Sequence, residues 1–187
     1  KRGLDDTYQS IGLGEVYAAR DLRSGSLISL RFPTPAALDA GTLQLLRAQV
    51  SVDSGLAHPS LIRVLGLLQS DTQPVLVQQA ALGQPLPQII QSVKAARDHL
   101  PTATALGILN TVRAALGASD PVSHGAIRPA AIWVDAKGVA RLADRALAMA
   151  LTGTGRAPVI GEPDQSLLAP ELKLGQPCGP PSDVFGM

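Results

Sequence analysis

Aromatic side chains are nearly absent from this chain, at 3% of 187 residues: one Trp, two Tyr and two Phe. Any core must be assembled from Leu, Val, Ile and Ala, for which the 45% hydrophobic content leaves ample material. Cysteine is scarcer still. Cys178 stands alone, so there is no disulfide framework and no cysteine metal site, as expected in a reducing, cytoplasmic setting, and the single thiol reads as incidental. An excess of either charge is also missing, since 16 basic and 15 acidic residues leave a formal net charge of +1. Nucleic acid is therefore not an expected partner, because binding a phosphate backbone calls for a basic face. No apolar run approaches the ~18 residues of a membrane helix, and no signal peptide is visible. The chain opens at Lys1 without a methionine; it is expected to be a piece of something longer, with room for a membrane anchor outside it.

What is there is enough for one domain or two small lobes. Tyr8 to Phe32 reads as strands: Gly12 to Ala19, a turn at Arg23-Ser24-Gly25, then Leu27 to Phe32. Pro33 and Pro35 interrupt this pattern. From Ala37 to Asp53, Leu43, Leu46 and Val50 recur at helical spacing, with Asp39 or Thr42 available as a cap. Pro74 to Val77 reads as another strand, Ile89, Ile90 and Val93 as a short helix, and Leu106, Leu109, Val112 and Leu116 as a longer one capped by Thr102 or Thr104. Ile132-Trp133-Val134 and Val139 to Ala143, separated by Asp135-Ala136-Lys137-Gly138, form a β-hairpin pattern with a glycine-containing turn. Leu151 to Gly161 is rich in Gly and Thr and reads as mobile.

In order along the chain come GEVYAARD with SG and ISLRF, HPSLIRVLG from His58 to Gly66, HGAIRPAAIWV from His124, LADRALA from Leu142, Ala169-Pro170-Glu171, and Ser182-Asp183-Val184-Phe185. This ordered set resembles bacterial Ser/Thr protein kinases, where the catalytic loop reads H-R-D-x-K-P-x-N and is followed by D-F-G. The resemblance covers nearly all of the chain but about two thirds of a kinase domain. It implies an α+β, two-lobed fold: a small antiparallel β lobe with helix C, then a mostly helical large lobe that stops near the start of helix F. Residues 1–83 would be the small lobe and hinge, with the hinge at Gln78 to Gly83, and residues 84–187 a partial large lobe.

Phosphoryl transfer needs a phosphate-gripping loop, a lysine held by a glutamate, metal-binding groups and a carboxylate facing the substrate hydroxyl. The resemblance places Gly14 at the last glycine of the loop, while the first two glycine positions fall on Gln9 and Ile11, with Gly12 as a substitute. Arg31 stands for the lysine and Gln49 for its glutamate. Ala126 replaces the general base, Gly125 the arginine before it, Arg128 the lysine and Ala131 the metal-binding asparagine. Asp144 is the one metal-binding carboxylate left, and it reads equally as a turn residue or a partner of Arg31. His124 is read as a packing residue. Gly14, Val16, Arg31, Gln78, Trp133 and Asp144 would line what remains of a nucleotide pocket, with Trp133 under the adenine or filling the core.

Asp53 and Arg145 fall in the apolar column that joins the lobes, and their opposite charges imply an ion pair there. Asp183 is expected to accept hydrogen bonds from the catalytic-loop backbone, Glu171 has no identifiable partner, and Thr152, Thr154 and Ser166 are candidates for phosphorylation. Alanine can neither take a proton nor bind a cation. The expectation is therefore a catalytically inactive pseudokinase, not an enzyme, with ATP and Mg²⁺ bound weakly or not at all and no metal site. It would act as a scaffold for a protein partner such as an active kinase, with oligomerisation open. The alternative is a weak nucleotide-binding switch or a residual, atypical Ser/Thr kinase.

Overall fold

The computed structural model describes residues 7–10, 13–34, 38–70, 73–118, 123–155 and 164–187. Ile11, Gly12, Pro35, Ala37 and residues 156–161, all invoked above, lie outside that set. Strands β1 (Thr7–Ser10), β2 (Gly14–Arg20), β3 (Leu27–Phe32), β4 (Val64–Gln69) and β5 (Pro74–Gln79) form one antiparallel sheet in the order β1-β2-β3-β5-β4, with helix α1 (Ala40–Asp53) between β3 and β4. In β3 the period of two places Ser29 and Arg31 on the buried face. Register then sets Arg31 opposite Val16 on one side and Leu76 on the other, in the middle strand of the sheet. Gly14 opens β2 at φ +109, where a Cβ would lie 2.0 Å from the Phe32 carbonyl oxygen. Only glycine lets the β1–β2 turn descend onto the end of β3.

Helix α1 begins at Ala40 because Asp39 caps it: its carboxylate accepts from the Thr42 N–H at 2.8 Å. The start falls three residues later than the sequence pattern placed it. Strand β5 continues through Gln78 and Gln79, residues read from the sequence as hinge.

The rest of the chain supplies β6 (Gln84–Pro85), α2 (Leu86–Ala95), α3 (Thr102–Ala118), β7 (Ile132–Val134), β8 (Ala140–Leu142), α4 (Arg145–Thr152), α5 (Pro170–Lys173) and α6 (Pro180–Phe185). Helix α3 starts at Thr102 with Ala105 N–H bonded to the Pro101 carbonyl, so neither Thr102 nor Thr104 is its cap. Strands β6, β7 and β8 form a second antiparallel sheet, whose β7–β8 hairpin is the one expected from the sequence. Its turn is held by Asp135 Oδ1, which accepts from Lys137 and Val139 N–H at 2.9 Å each. Ile62 N–H donates to Leu142 O at 2.9 Å, and Leu142 N–H to Ser60 O at 2.8 Å, so the hairpin is bonded to the segment that enters β4. The fold is thus an antiparallel β lobe with one helix, joined to a mainly helical lobe. Among the described residues no helix is long and apolar enough to cross a membrane.

One apolar cluster gathers α3, Ile127 and the hairpin. Another joins Leu46 and Val50 of α1, Leu76 of β5 and Leu147 and Leu151 of α4. Helix α4 corrects the expectation of a mobile segment from Leu151: Leu151 and Thr152 form its last turn and are buried. Its sequence RALAMALT is rich in strong helix formers and presents apolar groups to α1. Thr152 Oγ1 donates to the Ala148 carbonyl at 3.0 Å, so this candidate phosphorylation site is turned inward. Gly125 makes the packing feasible. It sits at φ +97, and a Cβ there would come within 3.0 Å of Met149 Sδ and 3.1 Å of Met149 N.

Gly125→Ala and Gly138→Ala separate strain from packing, because Gly138 has a comparable φ of +79 with nothing within 4 Å of its would-be Cβ. The Gly138 variant should lose roughly 1–2 kcal/mol for the left-handed backbone alone, and the Gly125 variant distinctly more. Equal losses in urea unfolding would show that α4 does not rest on this position.

Candidate functional site

The sheet, the loop before β7 and the residue before α4 bring three charged side chains together. Asp144 Oδ1 lies 2.5 Å from Arg31 Nη2, and Asp144 Oδ2 lies 2.8 Å from Arg128 Nη2. All three side chains are at most 1% exposed. Arg128, read as the replacement of a lysine, also donates from Nη1 to the Ala126 carbonyl at 3.3 Å. Asp144 is held at φ +73, one of two described non-glycine residues with positive φ, and its carbonyl accepts the Ala148 N–H of α4. A strained backbone at this point aims the carboxylate back at both guanidinium groups while α4 departs the other way. Burial lowers the Arg31 pKa from the ordinary arginine value, and Asp144 opposes that shift. Arg31 Nε and Nη1 are buried and have no hydrogen-bond partner among the described residues.

The loop from His124 to Arg128 is anchored from below. Asp183 on α6 accepts from His124 N–H at 2.6 Å and Gly125 N–H at 3.0 Å, the role expected for it. Burial raises the Asp183 pKa, against those two hydrogen bonds. His124 Nε2 donates to the Ala143 carbonyl at 2.7 Å and Nδ1 accepts from Ala126 N–H at 3.4 Å, so the bonds assign a neutral ring. Its place is structural, as read from the sequence. Glu171 finds a partner in Ser182, whose hydroxyl donates to it at 2.5 Å.

The ion pair inferred between Asp53 and Arg145 is present and buried. Gln49, at the position of the activating glutamate, donates to Asp53 Oδ1 at 2.9 Å. Helix α1 thus directs its polar groups to the start of α4.

Trp133, Ser29 and Leu13 are buried as well. Trp133 is buried against Ile62 and Ala143, with Ala81 beside them, which is the core-filling reading. Ser29 Oγ accepts the Ala81 N–H at 2.9 Å, bridging β3 to the connection between the lobes. Leu13, at the tip of the glycine-containing turn, is 1% exposed and packs in the cluster that holds Ala126 and Leu147. Ser29 and Leu13 were missed from the sequence. The signal for Ser29 was its position two residues before Arg31 on one strand, hence on the same face; a leucine between two loop glycines carried none. Val16 and Gln78 are buried and Gly14 is half-buried.

Phosphate and Mg²⁺ fit this site differently. The uncommitted donors of Arg31 suit a phosphate. Both Asp144 oxygens already face guanidinium groups, Ala131 offers no ligand, and no group of three potential metal ligands occurs among the described residues. The donor set does not fit Mg²⁺. Burial raises the Cys178 thiol pKa to about 11, leaving it unreactive as expected.

His124 supplies a pH test. Burial lowers its pKa to about 4, from the 6.5 of a free imidazole. An unfolded chain takes up this proton below about 6.5 and the native state does so only near 4. Its stabilising contribution is therefore complete above the unfolded value and lost as pH falls through the native one, at up to ~1.4 kcal/mol per pH unit. Asp183, raised by burial, works in the opposite sense. Between pH 7 and pH 5 the parent protein should lose more unfolding free energy than His124→Gln, and parallel pH profiles would refute the neutral buried ring.

No family model matches the chain. Among curated proteins, an Aurora kinase of Patiria pectinifera is 26% identical over 93% of this chain, and an Aurora kinase of Dictyostelium discoideum is 24% identical over 79% of it. The chain spans 42% and 38% of those two relatives. Among solved structures, the Mycobacterium tuberculosis PknI kinase domain superposes with a TM-score of 0.74 at 21% identity, covering 98% of this chain and 69% of the other. A double mutant of that domain gives the same score at 22% identity. These relatives are named kinases, and that overturns the expectation that the chain is not an enzyme. The physical reason lies in the reaction: phosphoryl transfer rests mainly on positioning and electrostatics, so an alanine at position 126 lowers a rate without excluding the chemistry. The α+β lobes, the hairpin and the loop anchored by Asp183 thus give this chain a protein kinase-like fold.

Proposed function

We propose that this domain is a nucleotide-binding switch of the Ser/Thr kinase type, with slow phosphotransfer to a hydroxyl as its reaction class. The observation that carries the reading is Arg31, a buried cation with donors left over beside the Asp144 carboxylate that Arg128 also meets. Such a cluster is built to receive phosphate oxygens. The arrangement described above is the closed form, in which Asp144 takes the place of a phosphate, Leu13 fills the cleft and Ser29 occupies the Ala81 amide. Nucleotide has to displace these contacts. Apparent affinity is reduced by the population of the open form, which accounts for weak binding. With alanine at position 126 the loss of a positioned base costs on the order of 10²–10⁴ in rate.

A protein partner is the second reading, favoured by one surface: Leu174, Val184 and Phe185 are 75%, 67% and 55% exposed around α5 and α6. A regulatory partner seated there would contact the helix whose Asp183 holds the catalytic loop.

Thermal unfolding with ATP tests the main reading. At a hundred times Kd, a ligand adds about 2.7 kcal/mol, or roughly 5–10 °C in Tm for a domain of this size. ATP should raise Tm, Arg31→Met should abolish the rise, and radioactive γ-phosphate should label a Ser/Thr peptide slowly. The absence of any shift at millimolar nucleotide refutes the reading.

A further inference from the structure

We infer that β4 is an interface between two copies of this chain: their β4 strands pair antiparallel, joining the two sheets, with Leu68 facing Leu68 of the second copy on the two-fold axis. β4 is the last strand in the order β1-β2-β3-β5-β4, and among the described residues it pairs with β5 and with no other strand. A free strand edge presents a row of unpaired N–H and C=O groups, which proteins ordinarily blunt with charge, proline or a bulge. The sequence of β4, VLGLLQ, has neither charge nor proline. Its one irregularity is the register shift between Val64 and Gly66, which leaves Gly66 to Gln69 as regular ladder. Leu65 and Leu68 are 48% and 58% exposed, so this edge is apolar as well as unpaired.

The register fixes which backbone groups are free. Gln69 stands opposite Pro74, and proline has no N–H to exchange, so this is a non-hydrogen-bonded pair. The bond from Ser70 N–H to the Gln73 carbonyl agrees, since bonded and non-bonded pairs alternate along the ladder. Gln69 and, two residues back, Leu67 therefore turn their N–H and C=O groups away from β5. An antiparallel copy centred on Leu68 sets Leu67 opposite Gln69 of its mate and Gln69 opposite Leu67. Every one of these free groups then has a partner. Centring on Leu67 instead would set Gln69 against the irregular stretch at Leu65.

The side chains fit the same pairing. Leu68, the more exposed leucine, meets its own copy at a non-bonded position, where cross-strand side chains come closest. On the opposite face Leu67 packs against the cluster that contains Leu46 and Val50 of α1. A groove of about 380 Å³, lined by Arg47, Val50, Ser51, Leu67, Leu68 and Gln69, lies between α1 and this edge. Gln69 of the second copy, opposite Leu67, would enter that groove, where Arg47 and Ser51 can donate to its amide oxygen. This self-match is what favours a second copy over a foreign strand. An uncharged strand sets no like charges together across a two-fold axis, and its one polar side chain meets donors on the mate.

Sedimentation velocity of the whole chain over a concentration series tests the inference. The interface is small, so a Kd on the order of 10–100 μM is expected, with the sedimentation coefficient rising from the monomer to the dimer value over that range. Leu68→Lys sets two ammonium groups on the axis and should weaken association by about tenfold or more, with an unchanged far-UV circular dichroism spectrum. Under diamide, Leu68→Cys should give a disulfide-linked dimer, and much faster than Leu22→Cys, whose position is 79% exposed but lies away from β4. A parent chain that remains monomeric at ~500 μM overturns the inference. So does a folded Leu68→Lys chain that still dimerises, and above all one whose dimer dissolves on Phe185→Lys, because the interface then lies at α6. Should Leu68→Lys not fold, the cysteine variants decide: equal cross-linking at positions 68 and 22 refutes the pairing.

Discussion

A single buried carboxylate, Asp144, is the point on which the two lobes are fastened. Arg31 reaches it from the middle strand of the sheet and Arg128 from the loop before β7. Removing charges from water is expensive, and their attraction offsets that cost only where the geometry is good and the remaining donors are met. Here some donors are not met. The cluster is therefore weak evidence for stability. Around it the structure arranges groups that carry no charge at all: Leu13, Ala126, Ala143 and Trp133. Water is kept out, and the field of two guanidinium groups is left unscreened.

Helix α4 follows from the same constraint. Once Asp144 turns inward at a positive φ, the next residues leave in a fixed direction, and the apolar stripe of RALAMALT packs against α1 within a shared apolar cluster. Arg145 would be stranded in that contact without Asp53, and Asp53 would be stranded without Arg145 and Gln49. Gly125 completes the fit by giving Met149 room. These substitutions are mutually consistent. Read one at a time they look like losses of catalytic groups, yet together they describe a second, well-packed arrangement of the same frame.

Much of the fold was legible because its signals are local. The β7–β8 hairpin announces itself through a Gly-containing turn between apolar runs, α1 through its spacing and Asp39, and the inward face of β3 through alternation. Asp183 and the Asp53–Arg145 pair were legible only through the ordered resemblance of motifs, since each joins residues far apart in sequence. What escaped was decided by tertiary competition. Nothing local says that Arg128 prefers Asp144, that the Ser29 hydroxyl meets the Ala81 amide 52 residues away, or that RALAMALT is a buried helix and not the start of a loose segment. Thr102, a good cap by type, lost that position to the backbone of Pro101.

Inactivity was the inference that failed, and the way it failed is instructive. It treated the kinase site as a set of indispensable parts, so that Ala126 and Ala131 decided the outcome. Yet the reacting phosphoryl group asks chiefly for compensating charge and for a fixed line of approach. Cations can be supplied by metal or by arginine, and this chain has buried two arginines at positions that the resemblance assigns to lysines. Arginine stays charged even where burial depresses its pKa, so the site holds its positive charge with or without a ligand. On the reading proposed above, a phosphate would compete with Asp144 for those cations, and that is the physical content of calling the site a switch.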